Sequence, residues 1–418
     1  MGKLFSRVRH LAALVFLALG NQFYCAYAAW WERYDLDALA VIRVPVADML
    51  SKPARLSVHP SDVLSFYRQL PLSCDSKSAR CARIHQCLLN EVLFETAYDF
   101  QTLECSGQLP DAYYGVNKKT QKPLTSFYTL ASNTISLKDL MRSGINLDSI
   151  PPPLFARDCS SPTSLTLLLP WCDQLSKITY SAGTRFVRLP EYDDADSYAV
   201  RIIDYIGLLN TIRRVPKTYC LTERSRSSGL KRALFVKILK LWVGQAMGVI
   251  PYVLGGSSFV HLYDKAIPFW LEEDATHNKI WMRADQVNPQ TGFDCSELVW
   301  RAARMAGISY YYKNTATLAR YLKPLDDHND LQEGDLMWVP GHVMVISDIA
   351  NNMFIESAGY IRGYGKVHGI SLKQKFKNIA TYADLVRAYS SKRGVTLYSY
   401  RGEPTSYEEF KIFKLLRD

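Results

Sequence analysis

The chain holds nine cysteines in 418 residues, yet no two stand at Cys-x-x-Cys spacing. That removes the usual zinc-ribbon and thioredoxin-type patterns. Histidines are also few, and His261, His277, His328 and His368 are scattered without metal-ligand spacing. No metal and no cofactor is expected. Beyond the N-terminus no apolar stretch is long enough to span a membrane. The best, Leu234 to Leu254, is interrupted by Lys237 and Lys240. No basic run is interleaved with aromatics, so nucleic acid is not an expected partner. Low-complexity tracts and exact internal repeats are missing too.

What is present begins with an export signal. Lys3, Arg7 and Arg9 form a basic start, Leu11 to Leu19 is a short apolar run, and Ala26-Tyr27-Ala28 fits a small-x-small cleavage site. Residues 1–28 therefore read as a secretory signal peptide, and the mature protein is expected to be periplasmic or secreted. The formal charge of +10 suits an anionic surface, although a basic balance more often serves solubility. Export permits disulfides. Cys74, Cys81, Cys87 and Cys105 form one cluster where a local bridge is expected, and Cys159 with Cys172 is a second candidate pair.

The length allows two to four domains. Residues 29–150 and 151–222 look β-rich, with short β-branched runs between Pro, Gly and Asp clusters. Ala40 to Asp48, Gln86 to Phe94, Leu165 to Leu169, Ile178 to Tyr180 and Thr184 to Leu189 are the clearest runs. Pro151-Pro152-Pro153 separates the two regions, and two small β-barrels fit the spacing. Glu223 to Gly229 is a polar linker into 223–418. There, an amphipathic helix over Lys231 to Met247 precedes Pro251-Tyr252-Val253-Leu254-Gly255-Gly256. A second helix follows Thr291-Gly292-Phe293-Asp294-Cys295-Ser296, with Leu298, Val299, Ala302, Ala303 and Ala306 at helical spacing and Gly307 as a stop. Strands at Gly334 to Val339, His342 to Ser347 and Met353 to Ser357 complete an α+β arrangement.

This order assembles a nucleophile. Cys295 falls in the first turn of its helix, where unpaired N–H groups favour a thiolate. Asp294 stands at the N-cap, and its charge opposes that effect, so the thiolate needs a cation beside it. His342 opens a strand and Glu356 lies on the returning one. The two share a face if the hairpin has an odd loop or one bulge. Glu356 is then expected to accept the Nδ1 proton and leave Nε2 to face the thiol. Tyr252 offers a phenol that, with the Cys295 N–H, makes an oxyanion site. Gly255 and Gly256 let the backbone approach a substrate.

The ordered pieces Pro251-Tyr252-x-x-Gly-Gly, Asp294-Cys295-Ser296, Gly334-Asp335-Leu336, Gly341-His342-Val343 and Phe354-Ile355-Glu356-Ser357-Ala358 resemble the NlpC/P60 family of cell-wall cysteine peptidases, which have a papain-like fold. The resemblance implies Cys295 as nucleophile, His342 as base, Glu356 as third polar residue and Tyr252 as active-site tyrosine. Asp294, Ser296, Gly255, Asn314 and Thr315 are its expected substrate contacts. It implies hydrolysis of peptidoglycan stem peptides or muropeptides, commonly at the D-γ-glutamyl–diamino acid bond, after two SH3-like domains. Three features depart from the family pattern. The Tyr252-to-Cys295 separation is much longer, and Phe259 to Gln290 reads as a lid or wall, or as a passive insertion. Glu297 stands where the family usually has Gly. Asn314-Thr315 stands where the branch specific for a free L-alanine carries Asp-Ser, and an amide cannot pair with an ammonium as a carboxylate does. Two other readings stay open: a catalytically silent wall-binding protein, and an exported amidase or acyltransferase acting on another substrate.

Overall fold

The computed structural model describes residues 29–51, 83–99, 103–109, 115–116, 123–124, 126–154, 163–223, 226–244, 249–260, 271–274, 279–282, 291–309, 314–326, 331–359 and 363–416. The expected signal peptide at 1–28 and Cys74, Cys81 and Cys159 lie outside these residues. The chain is mixed helix and sheet.

A seven-stranded antiparallel sheet comes first. Its strands are β1 (Ala40–Ile42), β2 (Val46–Leu50), β3 (Arg83–Leu88), β4 (Val92–Asp99), β5 (Glu104–Gln108), β6 (Ser126–Leu130) and β7 (Thr134–Ser136), in the spatial order β3-β2-β6-β5-β4-β1-β7. The run expected as one strand over 40–48 is split between Ile42 and Val46. Pro45 has no N–H to give a ladder, so the chain steps out there. A short helix, α1 (Leu137–Arg142), leads away from this sheet, with Ser136 Oγ accepting the Asp139 N–H as its cap.

A five-stranded sheet follows: β8 (Ser164–Leu167), β9 (Arg185–Arg188), β10 (Ser197–Asp204), β11 (Leu209–Pro216) and β12 (Cys220–Thr222), ordered β11-β10-β9-β8-β12. Among the described residues neither sheet closes on itself, so the two expected barrels are open sheets here. Cys105 and Cys172 carry free thiols. The bridge considered between Cys159 and Cys172 is therefore not formed, and Cys105 takes no part in a bridge of the first cluster.

The third part is built on helix α2 (Ser228–Val243) and helix α3 (Cys295–Met305), which pack on one face of a second five-stranded sheet. Helix α4 (Thr315–Tyr321) comes next. The sheet consists of β13 (Leu336–Val339), β14 (His342–Asp348), β15 (Met353–Ala358), β16 (Lys366–Ser371) and β17 (Lys411–Phe413), ordered β16-β15-β14-β13-β17. Helices α5 (Leu372–Lys375) and α6 (Tyr382–Ser390) cover its other face.

Strand alternation explains the two layers. Val343, Val345, Ile355 and Val367 pack with Leu298, Val299 and Ala302 of α3. Met344, Ile346, Phe354 and Ile370 pack with Leu372, Phe376 and Tyr382. The first of these cores also takes in Ala182 and Phe259, so it reaches towards the second sheet region. The Phe259 N–H donates to Ser181 Oγ at 2.8 Å, which pins the start of the long insertion. Within that insertion Leu271–Asp274 and Lys279–Met282 pair as a hairpin. Most of the expected lid, with His261, Phe269 and Trp270, lies outside the described residues.

Candidate active site

The nucleophile helix begins as its sequence requires. Asp294 is extended, and its Oδ1 accepts the Glu297 N–H at 2.8 Å and the Ser296 hydroxyl at 2.9 Å. Its Oδ2 accepts the Gly255 N–H at 3.0 Å. One carboxylate thus caps the helix and ties it to the Pro251–Gly256 loop. That loop is held from two further sides. The Tyr252 N–H donates to the Gly365 carbonyl at 2.7 Å, and the Phe293 N–H donates to the Pro251 carbonyl at 3.1 Å. The Ser357 hydroxyl donates to the Phe293 carbonyl at 2.7 Å, which joins β15 to the approach to Cys295.

Cys295 is 8 % exposed. Burial pushes its thiol up, and the Asp294 carboxylate beside it pushes the same way. The N–H groups of Val343 and Ser296 pull it back, and Glu356 adds to the rise. The resting group is therefore a thiol, and a base has to take its proton. The hydrogen bond from Val343 places Sγ one residue along β14 from His342.

His342 and Glu356 do share a face. Val345 pairs with Ile355 and Ile346 with Phe354, and a bulge between Ile346 and Asp348 restores the parity that a regular turn would have broken. The imidazole meets the carboxylate through Nε2, 2.6 Å from Glu356 Oε2. This corrects the expectation that Nδ1 would make that bond. The reason is reach: Nδ1 lies nearer the backbone of its own strand, and Nε2 extends towards the neighbouring strand that carries Glu356. Glu356 is fully buried and has further partners, Lys375 Nζ at 2.7 Å and His368 Nε2 at 3.2 Å from Oε1. Burial alone would raise its carboxyl, but the Lys375 ammonium and the two histidines hold it well below the usual carboxylate range. No hydrogen bond joins Sγ to the imidazole in this state. Such bonds commonly tighten only when substrate is bound.

Among solved structures, the chain is similar to an NlpC/P60 family protein from Bacillus cereus ATCC 10987, at 14% identity and a TM-score of 0.48, over 80% of this chain and 94% of that one. It is similar also to NlpC1 from Trichomonas vaginalis, at 10% identity and a TM-score of 0.31, over 81% of this chain and 88% of that one. The structural neighbours are NlpC/P60 proteins. No family model matches the chain, and no curated protein does.

The remaining expected residues fall in several places. The Tyr252 ring lies against Gly359, where an added Cβ would sit 3.2 Å from Cε1, so the phenol covers the end of β15. Ser296 is buried, with its hydroxyl committed to Asp294. Gly255, at φ +67°, leaves room for protein rather than for substrate: a Cβ there would meet the Arg83 carbonyl of β3 at 2.6 Å. Asn314 caps α4 through Oδ1, which accepts the Thr317 N–H at 2.9 Å. The Thr315 carbonyl accepts the Trp338 indole N–H at 3.0 Å, and Trp338 pairs with Val343. This loop thus sits on the α3 face of β13 and β14, and its polar groups cap a helix.

A second polar cluster was not anticipated. Glu297 is fully buried and meets His85 Nδ1 of β3 at 3.2 Å through each carboxylate oxygen. The Ser257 hydroxyl lies 2.8 Å from the same nitrogen. Arg301, one helical turn further on α3, donates to the Ser257 carbonyl at 2.8 Å, the Gln86 carbonyl at 3.1 Å and Glu91 Oε1 at 2.8 Å. The first sheet is therefore joined to the nucleophile helix by buried charge. Glu297 itself was the available signal, because a carboxylate on the inner face of a helix needs a partner. His85, Cys87 and Glu91 come close enough to hold a metal. Glu91, however, is held down by Arg301 and Arg304, and a cation would have to displace them.

Proposed function

We propose that this chain is an exported cysteine peptidase that cuts amide bonds of peptidoglycan stem peptides or muropeptides. The observation that carries the proposal is Cys295 in the first turn of α3, hydrogen-bonded by Val343, with the His342–Glu356 pair on the same hairpin. A neutral buried thiol next to a carboxylate-anchored imidazole is suited to acyl transfer. His342 Nδ1 takes the Sγ proton as sulfur attacks the carbonyl carbon. The developing oxyanion is met by the Cys295 N–H and the Tyr252 hydroxyl. The imidazolium returns the proton to the departing amine, which leaves a thioester. Water then gives a proton to His342 and attacks the thioester, which frees the acid and restores the thiol.

The peptide substrate is argued from the motif order, Pro-Tyr252 through Cys295 to His342 and Glu356, which resembles wall peptidases. The D-γ-glutamyl–diamino acid bond is the scissile bond of this reading. The signal-like residues 1–28 and the mildly basic balance suit work on an anionic wall, with the two β-rich front regions as SH3-like modules. No carboxylate stands in the Asn314–Thr315 loop, so this reading does not require a free N-terminal ammonium on the substrate.

The test is incubation of the mature protein with purified muropeptides and mass analysis of the products. Cleavage should be lost in Cys295→Ala and kept in Cys220→Ala, whose thiol lies on β12. No cleavage of any muropeptide, together with tight wall binding, would replace the peptidase by a silent binding protein.

A further inference from the structure

The carboxylate behind His342 is held by more than the imidazole it faces. Its two oxygens are divided: Oε2 takes His342 Nε2, while Oε1 takes Lys375 Nζ at 2.7 Å, with His368 Nε2 at 3.2 Å. Lys375 closes helix α5, directly after β16, and is 4 % exposed. A lysine so buried is rare unless its charge is paired. His368 is the register partner of Glu356 on β16, and the Tyr364 ring lies tilted against it, with the ring centres 4.5 Å apart. The short helix is fixed by a reciprocal cap between Ser371 and Gln374, so the ammonium is delivered by rigid backbone.

We propose that Lys375 is a positioning residue of the catalytic pair: its ammonium fixes Oε1 of Glu356 and matches its charge, so that Oε2 stays an ionised acceptor for His342 Nε2. This inference rests on the peptidase reading above. With Oε1 anchored, the carboxylate cannot turn, and the ring it holds keeps Nδ1 on the thiol side. The charged and titratable groups facing this carboxylate are His342 from β14, His368 from β16, Lys375 from α5, Tyr364 ahead of β16, and Cys295 from the start of α3. Lys375 is the member of this set that opposes the carboxylate's charge most strongly. Without it a buried carboxyl takes up a proton at higher pH, and a protonated carboxyl no longer orients the imidazole.

The experiment is the pH dependence of Cys295 alkylation by iodoacetamide in the full mature chain. In Lys375→Met the acid limb should move up by about one pH unit or more, because the carboxyl loses its cation. Lys375→Arg should leave the limb in place. A merely structural lysine would lower the rate equally at every pH, and that outcome, with an unmoved acid limb, overturns the proposal. Should the Met variant fail to fold, Lys375→Gln keeps a donor to Oε1 without the charge and must show the same rise. The readout needs no substrate. Failure of muropeptide cleavage with a moved limb would discard the substrate class and keep Lys375. A wild-type Cys295 that alkylates like an isolated thiol would remove the catalytic pair and this inference together.

Discussion

The protein holds two histidine–glutamate pairs, one on the β14–β15 hairpin and one between β3 and α3, and the two have opposite circumstances. His342 meets Glu356 at 2.6 Å, with the His342 side chain 16% exposed and Lys375 behind the carboxylate. His85 meets Glu297 at 3.2 Å, with both side chains 0% exposed. The residue types and the order of separation are the same. Access differs, and so does what lies next to the ring. The first pair borders a thiol and opens towards solvent, so its protons can move. The second is sealed between β3 and α3, with the Ser257 hydroxyl and the Trp300 ring as neighbours, the latter at 4.7 Å. A sealed polar pair of this kind fixes one arrangement of two surfaces. The chemistry of a histidine–carboxylate pair is thus set by its surroundings rather than by its members.

The comparison breaks most visibly if the two histidines are removed in turn. His342→Ala should reduce muropeptide cleavage by about 10³-fold or more while leaving stability within about 1 kcal/mol, as expected of a base at the edge of the fold. His85→Ala leaves Glu297 buried without its imidazole and should cost about 3–5 kcal/mol in denaturant unfolding. Equal losses of stability, or a His85→Ala protein that is fully stable and inactive, would mean that the pairs do not differ as described.

The sequence alone made one of these pairs legible. Cys295, its Asp294 cap and the end at Gly307 follow from helical spacing, and α3 spans Cys295–Met305 with Gly307 at φ +76°. The His342 and Glu356 strands follow from β-branched runs, and the need for either an odd loop or a bulge follows from period-two alternation. The choice of Nε2 over Nδ1 did not follow, because it depends on how the imidazole reaches from the β14 backbone towards β15. Lys375 and His368 were illegible for a related reason. Their roles come from β16 lying against β15, with Glu356 opposite His368, and no local pattern announces that pairing. His85 was hidden further still, since it meets Glu297 across 212 positions of chain. The front half shows the same limit: the short strands were readable from composition, but whether they close into barrels depends on long-range register.

A smaller effect sharpens the view that the sealed side serves as a joint. Gly255 sits at φ +67°, and an added Cβ would lie 2.6 Å from the Arg83 carbonyl of β3. Gly255→Ala should lower stability by about 1–3 kcal/mol from backbone strain and the displaced strand. It should also weaken the Gly255–Asp294 hydrogen bond, so cleavage should fall several-fold at a temperature where the protein remains folded. Thermal unfolding and initial rates at one low temperature check both parts. A stable variant with unchanged rate would show that β3 does not press on the loop behind the nucleophile.

The smallest effect on rate sets charge against geometry next to the thiol. Asn caps a helix about as well as Asp, but its NH2 cannot accept the Gly255 N–H as Oδ2 does, so Asp294→Asn should cost about 1–3 kcal/mol through that lost bond. The carboxylate it removes pushes the Cys295 thiol up, alongside burial. The sign is therefore fixed: without Asp294 the thiol ionises at lower pH, and its alkylation at pH 7 should be faster by a few-fold. The limb that belongs to Glu356 and Lys375 should stay where it is, because neither touches the cap. If alkylation slows instead, Asp294 serves the site by holding Gly255 and Ser296 in place, and its charge is incidental to the sulfur.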